Sequence, residues 1–268
     1  MFSMFEPMFM RLALVAAISA GASLSVIGVY LVTRRVVFLG LVLANAATAG
    51  GALAHLFGWQ PELPSVGAAL VTAVGLGSIS TSQRVPNESI IGWAYAAASS
   101  ATVLILAYAA AADADTMHLL FGNLLAVSAG HAVVLAGMAA VAIAVHILFT
   151  QRFLLATFDP EAAIVAGVST HRWMLLLNLL VGVATATAVQ HIGALLTFAL
   201  LTLPAMGALL LTTSVRAVFA TAAGLGIVLP CLGLAASFYL DLPAGPAAVA
   251  LLAAGVPLAA IAGQQRRG

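Results

Sequence analysis

Eight of the nine arginines in this lysine-free chain of 268 residues fall in gaps between long apolar runs, and those gaps alternate along the sequence. Chains that cross a bilayer repeatedly keep basic residues on the cytoplasmic side, so this spacing dictates a polytopic bundle of membrane helices. Composition agrees: 63% of residues are hydrophobic and 6% charged, with a mean hydropathy of +1.17. A water-soluble domain carries far more charged surface.

A helical crossing takes roughly 20 apolar residues. Apolar runs bounded by charge, Pro or Gly predict about nine transmembrane helices, near 9–32, 36–57, 65–79, 90–112, 132–149, 173–189, 194–211, 218–240 and 247–262. With nine, one side holds Arg34, Arg35, Arg84, Arg152, Arg172, Arg216, Arg266 and Arg267, and the other holds Glu6, Glu62, Asp113, Asp115 and Asp241, with Arg11 as the basic exception. The expected topology is N-out and C-in, and one span more or fewer scatters the arginines over both faces. The first ten residues carry Glu6 and no arginine, so a cleaved signal is not expected, and residues 1–268 read as one transmembrane domain. Trp59, Trp93 and Trp173 lie near predicted span ends, at headgroup level.

Several function classes are excluded. A net charge of +1 with scattered arginines offers no field for nucleic acid. Cys231, the single cysteine, reads as a packing residue and rules out an intrachain disulfide. A phosphate-cradling G-x-x-x-x-G-K-[ST] loop needs a lysine, and neither H-E-x-x-H nor G-x-S-x-G occurs. The chain therefore reads as a non-enzyme with no cofactor of its own. Small-residue runs such as 44–51, 96–100 and 182–188 fit closely packed helices, and no internal repeat is evident.

The gap at 151–172 is the longest on the arginine side and reads as a cytoplasmic segment containing a short amphipathic helix. Asp159 suits an N-cap, Pro160 the first helical position, Glu161 the positive helix start and Gly167 the stop. Such a helix either docks in a partner's groove or lies on the bilayer surface.

The D-P-E-x-A-x-x-x-G pattern of Asp159, Pro160, Glu161, Ala163 and Gly167 resembles the coupling segment of ABC-transporter permeases that import zinc or manganese. Similar strings run along nearly the whole chain: Arg34-Arg35 before Phe38-Leu39-Gly40, the run 120–128, Gly193-Ala194-Leu195-Leu196 leading to Leu203-Pro204-Ala205, and Asp241-Leu242-Pro243-Ala244-Gly245-Pro246. The resemblance implies a bacterial inner-membrane homodimer, coupled through 159–167 to a separate ATPase subunit that binds ATP and magnesium. It also implies an extracytoplasmic solute-binding protein that feeds the path.

One departure stands out. Similar permeases carry Asp and His one turn apart on the second helix, a pair suited to a divalent cation and costly in lipid unless used. Here the matching positions are Leu41 and Asn45. Leucine cannot ligate, and asparagine offers only a neutral amide oxygen. Substitute ligands on the outer half are His55, His131 and His191, of which the last two converge only if their helices are neighbours. Asn178, Thr185, Thr197 and Thr202 are intramembrane polar groups that either bond across helices or line a path, and Pro204 and Pro230 permit bends. Asp241 is expected to cap the turn that follows it.

Two readings follow: a divalent-metal importer subunit, with Leu41, Asn45, Asn178, Thr197 and Pro204 along its path, or a permease of the same fold that passes a metal chelate or other cargo or acts as a membrane sensor.

Overall fold

The computed structural model describes residues 7–78, 85–110 and 124–265. Among the described residues there is no strand. The helices are α1 (Met8–Thr33), α2 (Phe38–Leu56), α3 (Glu62–Ser78), α4 (Asn87–Ala110), α5 (Ala129–Phe158), α6 (Pro160–Val165), α7 (Thr170–Ile192), α8 (Ala194–Leu211), α9 (Val215–Leu240) and α10 (Ala244–Gln265), with a 3₁₀ turn at Leu124–Ala126 before α5. Every expected span has a counterpart, and α6 is the extra short helix. Seven helices (α1, α2, α5, α7, α8, α9 and α10) are long and apolar enough to cross a membrane, and α3 is a shorter apolar helix. The chain is a multi-pass membrane protein. Glu6, Arg84, Asp113, Asp115, His118, Arg266, Arg267 and positions 120–123 of the 120–128 run lie outside the described residues.

Helix α1 is the hub, packed on α9, α8 and α5. Alanine and glycine make that possible: Ala13, Ala16, Ala17, Ala20 and Gly21 are buried along one stripe. A Cβ added at Gly21 would collide with the Gly226 carbonyl oxygen, and one at Gly226 would collide with the Ser25 hydroxyl and Gly21 backbone. Two backbones in contact gain dispersion energy that bulkier side chains would forbid, which is how helices associate where no water drives them. The Ser25 hydroxyl, fully buried, donates to the Leu200 carbonyl oxygen at 3.3 Å and ties α1 to α8. A second group forms where α2 packs on α3, α4 and α7, and α3 also rests against α7.

An aromatic cluster closes the arginine end. Tyr30 of α1 meets Phe153 of α5 edge-on at 5.7 Å and Phe219 of α9 at 5.1 Å, and its hydroxyl pairs with Nδ1 of His146 at 2.9 Å. Because the C-terminal part of α1 therefore lies beside the N-terminal part of α9, Arg34 and Arg216 share one end of the bundle. Arg152 joins them, its guanidinium stacked 4.9 Å from the Trp173 ring centroid.

Two local expectations are corrected. The fifth span does not stop at 149: α5 continues through Gln151 and Arg152 to Phe158, because neither residue breaks a helix, and termination waits for Asp159 ahead of Pro160. Asp241 does not cap the turn after it. It ends α9 in the left-handed region (φ 51°, ψ 40°), a conformation that Asp tolerates better than most residues.

Candidate functional site

The ends of α6 set its local structure. Asp159 has extended-like backbone geometry (φ −141°, ψ 77°) and its Oδ1 accepts a hydrogen bond from the Ala162 amide at 2.9 Å. Pro160 occupies the first helical position and Glu161 the first turn, where a carboxylate complements the helix dipole. At the other end Gly167 takes φ +71°, and the Val168 amide donates back to the Ala163 carbonyl oxygen at 2.8 Å. That bond folds the chain into α7. Ala163 is fully buried, whereas Ile164 and Val165 are 70% and 90% exposed. The short helix thus anchors itself with one small residue and presents two branched apolar side chains outward, beside a cleft lined by Arg152, Gly167, Arg172 and Trp173. Apolar side chains offered between cations suit insertion into a protein groove.

The α2 pair lies elsewhere. Leu41 and Asn45 are half-buried, and the Asn45 amide nitrogen donates to the Leu41 carbonyl oxygen at 3.0 Å, inside its own helix. The Asn45 main-chain carbonyl oxygen accepts from the Thr102 hydroxyl of α4 at 2.8 Å. This face of α2 is therefore a helix contact with its amide donor occupied.

Asn178 is buried, and its Oδ1 accepts from Arg34 Nη1 at 3.3 Å. Both line a cavity of about 210 Å³ with Leu39, Leu76, Ile91 and His171. Burial lowers the pKa of the Arg34 guanidinium from its ordinary value, and among the described residues no acidic side chain lines this cavity. The sequence marked Arg34 as a topological charge and as part of the Arg34-Arg35 string; its reach of 144 positions to Asn178 has no local signal. In α8, Thr197 is fully buried with its hydroxyl donating to the Gly193 carbonyl oxygen at 2.7 Å, and Thr202 is bonded likewise to Phe198 at 2.9 Å. Pro204 is a buried residue inside α8. Thr185 keeps a buried hydroxyl with no hydrogen-bond partner among the described residues. No hydrogen bond joins Asn45, Asn178 and Thr197 to one another.

At the end away from the arginines two of the three candidate histidines meet. His131, in the first turn of α5, stacks on His191, in the last turn of α7, with ring centroids 4.4 Å apart and planes 25° apart. Ser128 caps α5 by accepting from the His131 amide at 3.2 Å, which fixes where that ring starts. Glu62, exposed in the first turn of α3, lies within electrostatic range of His191. The Gln190 side chain is bonded to Ser65 of α3, so α3 and α7 are pinned together at this point. His55 is exposed on the last turn of α2 and takes no part in the pair. Among the described residues no three His, Cys, Asp or Glu side chains are grouped as a metal cage.

Comparison with known proteins places this arrangement. The model of the ABC 3 transport family matches residues 6–263. The chain is 31% identical over 241 residues to the manganese transport system membrane protein MntC of Halalkalibacterium halodurans, covering 90% of this chain and 82% of that protein. It is 26% identical to the manganese import system permease protein ScaB of Streptococcus gordonii, covering 90% and 86%. Its fold is similar to that of a chain in the structure of PsaBC from Streptococcus pneumoniae in complex with Fab, with a TM-score of 0.84, 23% identity, and 96% and 92% of the two chains covered.

Proposed function

Because this chain belongs to the ABC 3 transport family, we propose that it is the membrane-spanning subunit of an importer for divalent metal, manganese before zinc, in the inner membrane of a bacterium. Relatives named as manganese transport proteins support the cargo. The observation that carries the mechanism is α6: a capped helix at the arginine end, with Ile164 and Val165 exposed. On this reading a separate ATPase subunit receives those two side chains in a groove. Closure of two ATPases, with ATP and magnesium bound there, pushes α6 of each protomer in a homodimer. Since α6 follows α5 directly at Asp159 and meets α7 through the short hydrogen-bonded turn 166–169, a push on it moves both helices and rocks the bundle between outward- and inward-open states. An extracytoplasmic binding protein delivers the ion to the opposite end, and Leu41, Asn45, Asn178, Thr197 and Pro204 mark the helices past which it travels.

A second reading has its own support. With Leu41 and Asn45 in α2, and an arginine facing a cavity that no acid among the described residues lines, the cargo would be a metal chelate with its own carboxylates rather than a bare cation. Elemental analysis of cells lacking the chain separates the two. A fall in cellular manganese or zinc, reversed by the chain and abolished by Gly167→Pro, supports bare-ion import. Normal metal content in chelate-free medium, with a deficit only when a chelate is the source, supports the second reading. Unchanged content under both conditions rejects transport of either kind.

A further inference from the structure

We infer that His131 and His191 form an outer, two-ligand docking site for a single divalent cation; the inference rests on the importer reading. The sequence separates the two histidines by 60 positions, yet the fold stacks their rings at 4.4 Å. A neutral imidazole carries one nitrogen lone pair and is the commonest side-chain ligand for metals of this class. Metal–nitrogen bonds of about 2.0–2.1 Å put two ligand nitrogens on one ion at roughly 3–4 Å from each other, so rings this close are near enough to share one. Their planes are 25° apart, so sharing an ion requires one ring to turn. The half-buried His131 is the freer of the two, while His191, 8% exposed, is held by packing.

A carboxylate lies near the pair. Glu62 sits on the exposed first turn of α3, and α3 is held to α7 next to His191 by the bond between Gln190 and Ser65. The Glu62 charge draws a divalent cation toward the pair, and water completes the ion's coordination. Because the protein supplies only two ligands and one of them can swing, the site holds the ion loosely and gives it up, as the first station of a path must. It also places the first ion ligands on α5 and α7 and leaves α2 without them, in keeping with Leu41 and Asn45.

Manganese is to be titrated into the purified full-length protein and followed by electron paramagnetic resonance. Saturable binding with pulsed-resonance coupling to imidazole nitrogen is expected. Loss of that coupling and weakening of about tenfold or more are expected in the double variant His131→Gln/His191→Gln, with a several-fold weakening in Glu62→Gln. Wild-type protein lacking nitrogen coupling overturns the site without needing any variant to fold, and so does a folded double variant that binds as wild type. ATP-driven manganese uptake by that same double variant, at wild-type rate and affinity, overturns the site and leaves the importer reading standing. Nitrogen-coupled binding in a wild-type protein that imports no metal supports the site and rejects the importer reading.

Discussion

Replacing Asp159 with alanine is expected to melt α6 while leaving the surrounding bundle intact. A six-residue helix (Pro160–Val165) is far below the length at which a helix persists alone in water, so its ends decide its population. At the start, the Asp159 carboxylate accepts from the Ala162 amide at 2.9 Å. Removing an N-cap of this kind costs about 1 kcal/mol, roughly a fivefold loss in helix population. At the end, Gly167 holds φ +71°, and a side chain there costs roughly 1–2 kcal/mol. The two terminal effects act on the same short element, so Asp159→Ala with Gly167→Ala should lose about 2–3 kcal/mol, if the two add. Hydrogen–deuterium exchange on purified protein reads this directly: amides of 162–168 should exchange about five times faster in Asp159→Ala, and close to the wild-type rate in Asp159→Asn, which keeps the cap without the charge. Equal exchange in wild type and Asp159→Ala would show that the cap does not hold α6. Equal acceleration in Asn and Ala would show that charge, not the hydrogen bond, matters.

Three further outcomes follow from packing. Gly226→Leu places a side chain against the Gly21 backbone and Ser25 and is expected to destabilise by at least about 1–3 kcal/mol, seen as a lower unfolding temperature in detergent; an unchanged temperature contradicts the α1–α9 contact. Tyr30→Phe removes the bond to His146 and should cost about 1 kcal/mol by the same assay, with no change if the pair is not formed. Trp173→Leu takes away the Arg152 stack and the ring contacts with Phe149 and Phe153; faster exchange across 150–158 is the expected sign, and protection equal to wild type speaks against it.

The helices were legible because lipid imposes a simple code of apolar length and charged gaps, and each of the nine expected spans finds a helix among the described residues. The cap of α6 was legible too, since Asp-Pro-Glu and a later glycine act over a few residues. The end of α5 is not legible from polarity, because Gln151 and Arg152 bound the apolar run but do not stop a helix that leaves the membrane. Asp241 was assigned to the wrong neighbour because Asp-Leu-Pro is compatible both with ending one helix and with starting another. Contacts set by helix packing had no local signature: Arg34 with Asn178, Tyr30 with His146, and the meeting of His131 with His191 each join residues more than 50 positions apart. For the histidines, the sequence supplied only the condition under which they would meet.

The central claim is that a neighbouring motor drives this bundle through α6. Its most direct test reconstitutes the chain in proteoliposomes with its ATPase and binding protein, then measures manganese accumulation with the wild type and with Ile164→Asp/Val165→Asp. ATP-dependent uptake in the wild type, absent in the variant although its bundle remains folded, is the expected result. Accumulation that proceeds without the ATPase, or at full rate in the variant, would contradict the account.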